Sequence, residues 1–178
     1  MTARRTSSRK RPAAASQKMA GGSCLCGEVA FELVRAAGRM MNCHCARCRR
    51  AHSAAHASNI FVDSAKFRWV RGESQVSNYG PPKDWHFGTA FCRLCGSTLP
   101  REVRSVGLVV IPAGTLDGDP GMRPTGHGFA DSKAQWFSIT DDLPQYAGMP
   151  PGRESLSRQW ASAAADPHRR VSAILSLT

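Results

Sequence analysis

The cysteines constrain the fold and chemistry of this chain more than any other feature, because all seven occur in three short clusters. The clusters are Cys24-Leu25-Cys26, Cys43-His44-Cys45-Ala46-Arg47-Cys48 and Cys92-Arg93-Leu94-Cys95. An odd number of thiols at such spacings is a poor disulfide framework, since adjacent partners would close strained loops. Thiolates bound to metal in a reducing, cytosol-like compartment are the better interpretation. The spacing therefore predicts metal sites in a cytoplasmic protein.

The first and third clusters together have the composition of one closed zinc site. A CxxC pair followed by glycine, as in Cys92, Cys95 and Gly96, is a zinc knuckle, because both sulfurs can reach one ion at about 2.3 Å. Cys24 and Cys26 form a tighter version of this arrangement and are also followed by glycine. Four thiolates complete the tetrahedron of a structural zinc, which contributes folding free energy directly.

The middle cluster has three cysteines and predicts a second, open zinc site with a position left for water or substrate. Its expected ligands are Cys43, Cys45 and Cys48. Three nearby histidines are alternative fourth ligands, and each is equally typical of an ordinary core or surface position: His44, His52 and His56. We expect His44, which lies between two ligands, to point away from the ion. An open zinc lowers the pKa of a bound thiol and holds it as thiolate beside an electrophile.

Basic residues surround this middle cluster. Arg47, Arg49 and Arg50 would offset the negative charge of a zinc with three or four thiolates, or bind the carboxylates of an anionic substrate. A solvated basic face explains the same residues equally well. The sequence leaves these three interpretations open.

The net charge of +11 is concentrated in the first residues of the chain. Residues 1–18 hold six basic side chains and no acidic one, and residues 1–20 have no hydrophobic periodicity, which predicts a disordered basic tail. This tail would bind nucleic acid by charge, serve as an organelle transit peptide, or precede a true start at Met19. No apolar run approaches the roughly 20 residues that a membrane helix needs.

Residues 21–148 have the pattern of a mainly-β domain. Val29, Phe31 and Leu33 alternate with less apolar residues, which is the period of a half-buried strand. Further strands are predicted at 60–62, 67–70, 89–92 and 136–139, with two more between 103 and 111 on either side of a glycine. Residues 149–178 form a C-terminal extension, in which apolar residues four apart predict a helix over 154–166.

The cysteine clusters and their neighbours resemble the signatures of the glutathione-dependent formaldehyde-activating (GFA) family, to which centromere protein V also belongs. The resemblance lies in residues 22–29, 43–49 and 91–97, and it continues through 113–117 and 124–144. It implies a β-tent fold stapled by a structural zinc on Cys24, Cys26, Cys92 and Cys95, and a labile second zinc on the middle cluster. It also implies S-(hydroxymethyl)glutathione synthase activity, formally a carbon–sulfur lyase.

Two functional hypotheses follow. In the first, the chain is an enzyme whose open zinc activates glutathione or a similar small thiol for addition to formaldehyde or a related carbonyl, or catalyses the reverse reaction. Candidate substrate contacts are Arg47, Arg49, His127, Lys133 and Trp136. In the second, the chain is a non-catalytic zinc-binding module whose basic tail contacts nucleic acid or another acidic partner. Neither hypothesis involves a membrane, and the oligomeric state stays open.

Overall fold

Short strands dominate the computed structural model, which describes residues 19–80 and 87–149. Within these residues there are eleven strands: β1 Met19–Ser23, β2 Ala30–Val34, β3 Gly38–Cys43, β4 Ala57–Asp63, β5 Phe67–Arg71, β6 Val76–Tyr79, β7 Thr89–Cys92, β8 Thr98–Leu99, β9 Arg101–Val103, β10 Leu108–Pro112 and β11 Pro124–Gly128. The α-helix of the described residues is α1, Ala46–His52. Single 3-10 turns are Ser64–Lys66, Glu73–Gln75, Arg104–Val106, Ala113–Thr115 and Ala130–Ser132. The predicted mainly-β fold is confirmed.

The strands form three sheets. The first has the order β1-β2-β5, the second β11-β3-β4-β10-β9, and the third β6-β7-β8. Neighbouring strands are antiparallel, except that β11 runs parallel to β3. The middle cysteine cluster begins at the end of β3, which lies in the large sheet between β11 and β4.

Two hydrophobic clusters hold the sheets together. The first contains Ala20, Phe31, Leu33, Ile60, Val62, Val109 and Ile111, contributed by strands β1, β2, β4 and β10. The second contains Cys24, Val29, Ala90, Cys92 and Leu99. Alternating burial along β2 and β4 places their apolar side chains in the first cluster. The second cluster includes Cys24 and Cys92, two of the four cysteines that the sequence predicts as ligands of a structural zinc.

Most of the predicted strands are present, including those at 60–62, 67–70 and 89–92. The strand predicted at 136–139 is wrong. The backbone N–H of Phe137 donates to the carbonyl of Ala134 at 3.1 Å, which closes a turn. Trp136 is 75% exposed, and the Phe137 ring packs against histidines instead of continuing a sheet.

The predicted start of the domain is two residues late. Met19 and Ala20 belong to β1, where they pair with Val34 and Leu33, and Ala20 is buried. Residues 1–18 of the basic tail and the helix expected at 154–166 lie outside the described residues. Within the described residues, no helix is long and apolar enough to cross a membrane.

Candidate metal centre and substrate cavity

The first and third cysteine clusters meet at one point, as their spacing predicts. The four Sγ atoms of Cys24, Cys26, Cys92 and Cys95 lie within 4.8 Å of one another, and all four are free thiols. The Cys24 and Cys26 sulfurs are 3.4 Å apart, and those of Cys26 and Cys92 are 3.9 Å apart. A tetrahedral zinc with Zn–S bonds of about 2.3 Å separates its sulfurs by about 3.8 Å. The four residues fit such an ion.

The backbone around these cysteines forms two matching turns. Gly27 and Gly96 have φ values of 77° and 75°, which favour glycine, and their N–H groups donate to the carbonyls of Cys24 and Cys92. The Ser97 hydroxyl links the two turns by accepting from the Leu25 N–H at 3.0 Å. The two turns and the bond between them therefore position all four cysteines around one point.

The middle cluster is assembled by the junction between β3 and α1. Cys43 ends the strand, and Cys45 is the N-cap of the helix, where its Sγ accepts from the Cys48 N–H at 3.4 Å. The three sulfurs lie within 4.8 Å of one another. A strand end followed directly by a helical turn thus brings three cysteines of a six-residue segment to one point, which fits a three-thiolate metal site.

The three thiols of this cluster titrate together. Hydrogen bonds from the Cys43 and Cys48 thiols lower the pKa of Cys45 to about 2. The contact with Cys45 raises the pKa of Cys43 to about 11, and the contacts with Cys43 and Cys45 raise the pKa of Cys48. The cluster therefore loses its first proton readily, which favours metal binding because the ligands must be thiolates.

A cavity of about 190 Å³ opens beside this cluster and is lined by all three of its cysteines. Helix α1 contributes Arg47 and His52 to the lining, and burial lowers the pKa of His52. The described residues that line the cavity include no carboxylate. A small molecule in this cavity would lie next to the sulfurs, in surroundings that are apolar and positively charged.

His44 takes part in a buried network on another side of the cysteine loop. Its Nε2 lies 2.8 Å from Nδ1 of His127, and Nε2 of His127 lies 3.0 Å from the Asp141 carboxylate. Burial lowers the pKa of His44 to about 4, and the neighbouring His56 and His127 add to this effect. The ionised Asp141 accepts from His127, so His127 accepts from the neutral His44. His44 does not line the cavity.

Replacing His127 by leucine is expected to lower the free energy of unfolding by about 2 kcal/mol, because the buried N–H of His44 would lose its acceptor. Chemical denaturation followed by circular dichroism measures this loss. The control is Asp141→Asn, whose amide oxygen still accepts from His127 and whose side chain is half exposed. We expect the control to lower the free energy of unfolding by less than about 1 kcal/mol. Equal losses in both variants would contradict a buried anchoring role for His127.

The other residues predicted to contact substrate do not lie together in the structure. Arg47 lines the cavity, and its guanidinium carbon lies 5.9 Å from the centre of the Phe87 ring. Nε of Arg49 donates to the His44 carbonyl at 3.2 Å and so holds the cysteine loop. The exposed residues Lys133 and Trp136, together with the buried His127, do not line the cavity. Substrate contact through these three or Arg49 stays a prediction.

Two features of the site could not be found by spacing alone. The contact between His44 and His127 joins residues 83 positions apart. Arg101 lines the cavity from β9, far from the cysteine loop along the chain. Its basic charge was visible in the sequence, but its position depends on how β9 pairs with the large sheet.

One protein-family model matches most of the described residues. The family model "Glutathione-dependent formaldehyde-activating enzyme" matches residues 19–132. No curated protein matches the chain. Among solved structures, a Rhodobacter sphaeroides protein determined by crystallography is similar, with 27% identity and a TM-score of 0.42, over 55% of this chain and 88% of the other. The family match covers more than half of the chain, and the chain therefore belongs to the glutathione-dependent formaldehyde-activating family.

Proposed function

We propose that this chain is a zinc-dependent enzyme that adds glutathione or a similar small thiol to formaldehyde or a related carbonyl, or catalyses the reverse reaction. The observation that carries the proposal is the three-cysteine cluster that opens into a cavity. A purely structural zinc site has four protein ligands, as in the site formed by the first and third clusters. Three ligands leave a position for a reactant. The family match supports the same chemistry.

Each part of the site has a role in this reaction. Cys43, Cys45 and Cys48 would hold a zinc ion, which lowers the pKa of a thiol and presents it as thiolate. The thiolate sulfur bonds to the carbonyl carbon, the C=O π bond breaks, and the oxygen takes up a proton to give a hydroxymethyl thioether. Arg47 offsets the negative charge of the thiolates from the cavity wall.

Proton transfer needs a group within the cavity. His52 lines it, and burial lowers the pKa of this side chain, so its imidazole is neutral at pH 7 and able to accept the proton that the thiol releases. The same imidazolium would return the proton to the oxygen of the adduct. Formally the enzyme is a carbon–sulfur lyase, and cysteines grouped for metal binding suit the reducing conditions of the cytoplasm.

Zinc content and thiol exchange test this function together. We expect two zinc ions per chain by elemental analysis. We also expect exchange between glutathione and its hydroxymethyl adduct to be faster than the uncatalysed rate, as measured by NMR exchange spectroscopy with formaldehyde. The uncatalysed reaction is the essential control, since thiols add to formaldehyde unaided. A single zinc with no acceleration for any thiol of a panel would exclude the proposal.

A further inference from the structure

Arg101 is a charged side chain in the cavity wall, and the described residues offer it no counterion. Within residues 19–80 and 87–149 its guanidinium makes no salt bridge or hydrogen bond. No carboxylate is among the described residues that line the cavity with it. Burial lowers the pKa of Arg101, yet an arginine stays charged at neutral pH. A partly buried charge costs free energy unless an anion compensates it.

The guanidinium of Arg101 lies directly against the backbone of Gly88. A Cβ at residue 88 would lie 2.4 Å from Nε and 2.7 Å from Cζ of Arg101. A larger residue at position 88 would therefore displace the guanidinium from its position in the cavity wall.

The sheet register places Arg101 far from the cysteines. Cys43 pairs with Ala57 of β4, Phe61 of β4 pairs with Val110 of β10, and Val110 pairs with Arg101. Paired residues share a face of the sheet, and so do alternate residues of a strand. Arg101 and Cys43 are thus on one face, three strand spacings or about 14 Å apart across the sheet. The cavity extends between them.

We propose that Arg101 is a specificity-determining residue that binds a carboxylate of the thiol substrate at the end of the cavity remote from the cysteines. The inference rests on the proposed function and specifies its substrate class: an elongated thiol with a carboxylate several bonds from sulfur. A guanidinium matches a carboxylate through two parallel hydrogen bonds. Short thiols such as cysteamine lack a carboxylate, so Arg101 does not contribute to their binding affinity.

The backbone of Arg101 lies three strands away from Cys43 in the large sheet, whereas Arg47 lies between Cys45 and Cys48 along the chain. The oxygen that develops negative charge during addition is two bonds from the reacting sulfur, which lies beside Cys43, Cys45 and Cys48. Arg47 is therefore the better-placed cation for this oxygen. Arg101 is expected to affect substrate binding.

Direct binding tests the inference without requiring turnover. Calorimetry of the zinc-loaded protein, with no formaldehyde present, compares glutathione with its diethyl ester, which keeps the thiol but loses both carboxylates. We expect the wild type to bind glutathione at least tenfold more tightly than the ester. Arg101→Met should remove this preference, and Gly88→Ala should reduce it because the added Cβ displaces the guanidinium. Arg101→Lys should retain part of it.

The matched control is Arg104→Met, which removes the same charge from an exposed position nearby. It should bind both ligands as the wild type does. In exchange assays, Arg101→Met should raise KM for glutathione at least tenfold and lower the preference for glutathione over cysteamine by the same factor. Equal weakening for glutathione and its ester, a fall in kcat for both thiols, or no glutathione binding by a wild type that turns over cysteamine would each overturn the inference. Carboxylate-dependent binding in a protein without exchange activity would support it while excluding the proposed function.

Discussion

Replacing Cys92 by serine is expected to lower the free energy of unfolding of the domain by about 5 kcal/mol or more and so to abolish its cooperative unfolding transition. Cys92 is fully buried, ends β7 and packs with Val29, Ala90 and Leu99. Its sulfur is also one of the four that converge in the closed cluster. The substitution therefore removes a metal ligand and places a hydroxyl in an apolar core at the same time. Thermal unfolding by circular dichroism and the zinc content per chain measure the result.

The control for this prediction is Cys48→Ser, the same chemical change in the open cluster. Cys48 is not part of either hydrophobic cluster, and its ligand set is confined to six residues of the chain. Losing it should remove one zinc and leave the free energy of unfolding within about 1 kcal/mol of the wild type. If Cys92→Ser melted at the wild-type temperature, the closed site would not be the element that stabilises the fold.

The division of seven cysteines into four and three was predictable from the sequence because metal ligation imposes short, strict spacings. CxC and CxxC pairs fix which sulfurs reach one ion, and the structure brings these same sulfurs together. Strand β2, Ala30–Val34, was equally accessible, since alternation of apolar and polar residues is typical of a half-buried strand. In both cases the signal lies within a few residues.

Helix α1 illustrates what local patterns miss. It has seven residues, no apolar stripe, and a cysteine sulfur as its N-cap instead of a hydroxyl or carboxylate. Its C-cap, Ser53, adopts a positive φ of 50° where glycine is usual. The basic residues of its last turn, Arg49, Arg50 and His52, are an ordinary end signal. One such signal is too weak to predict a helix of seven residues.

The substrate end of the cavity was beyond prediction for a different reason. Arg101 reaches it only through the pairing of β9 with β10 and of β10 with β4. A shift of one residue in either pairing would move the arginine to the opposite face of the sheet. The register of strand pairing depends on the packing of the whole sheet, so it could not be predicted from local patterns in the sequence. His127 meets His44 through the parallel pairing of β11 with β3, which has the same dependence.

Cys45→Ser is expected to separate catalysis from folding. Serine is among the best N-cap residues, so its hydroxyl would replace the sulfur that accepts from the Cys48 N–H and would preserve α1. A serine hydroxyl is a poor zinc ligand at neutral pH, however, so the open site would retain two of its three sulfurs. We expect the zinc content to fall from two to one and thiol exchange to fall about 100-fold or more, to the uncatalysed rate.

The unfolding free energy of Cys45→Ser should stay within about 1 kcal/mol of the wild type. Cys45→Ala serves as the comparison, because alanine removes the ligand and the cap together. Cys45→Ala should lose the same exchange activity, and its free energy of unfolding should be about 1 kcal/mol lower than that of Cys45→Ser. Exchange above the uncatalysed rate in either variant, in samples that contain one zinc per chain, would show that the reaction does not take place at the three-cysteine cluster. Loss of exchange with the fold and the closed site intact is the result that a catalytic role for this cluster requires.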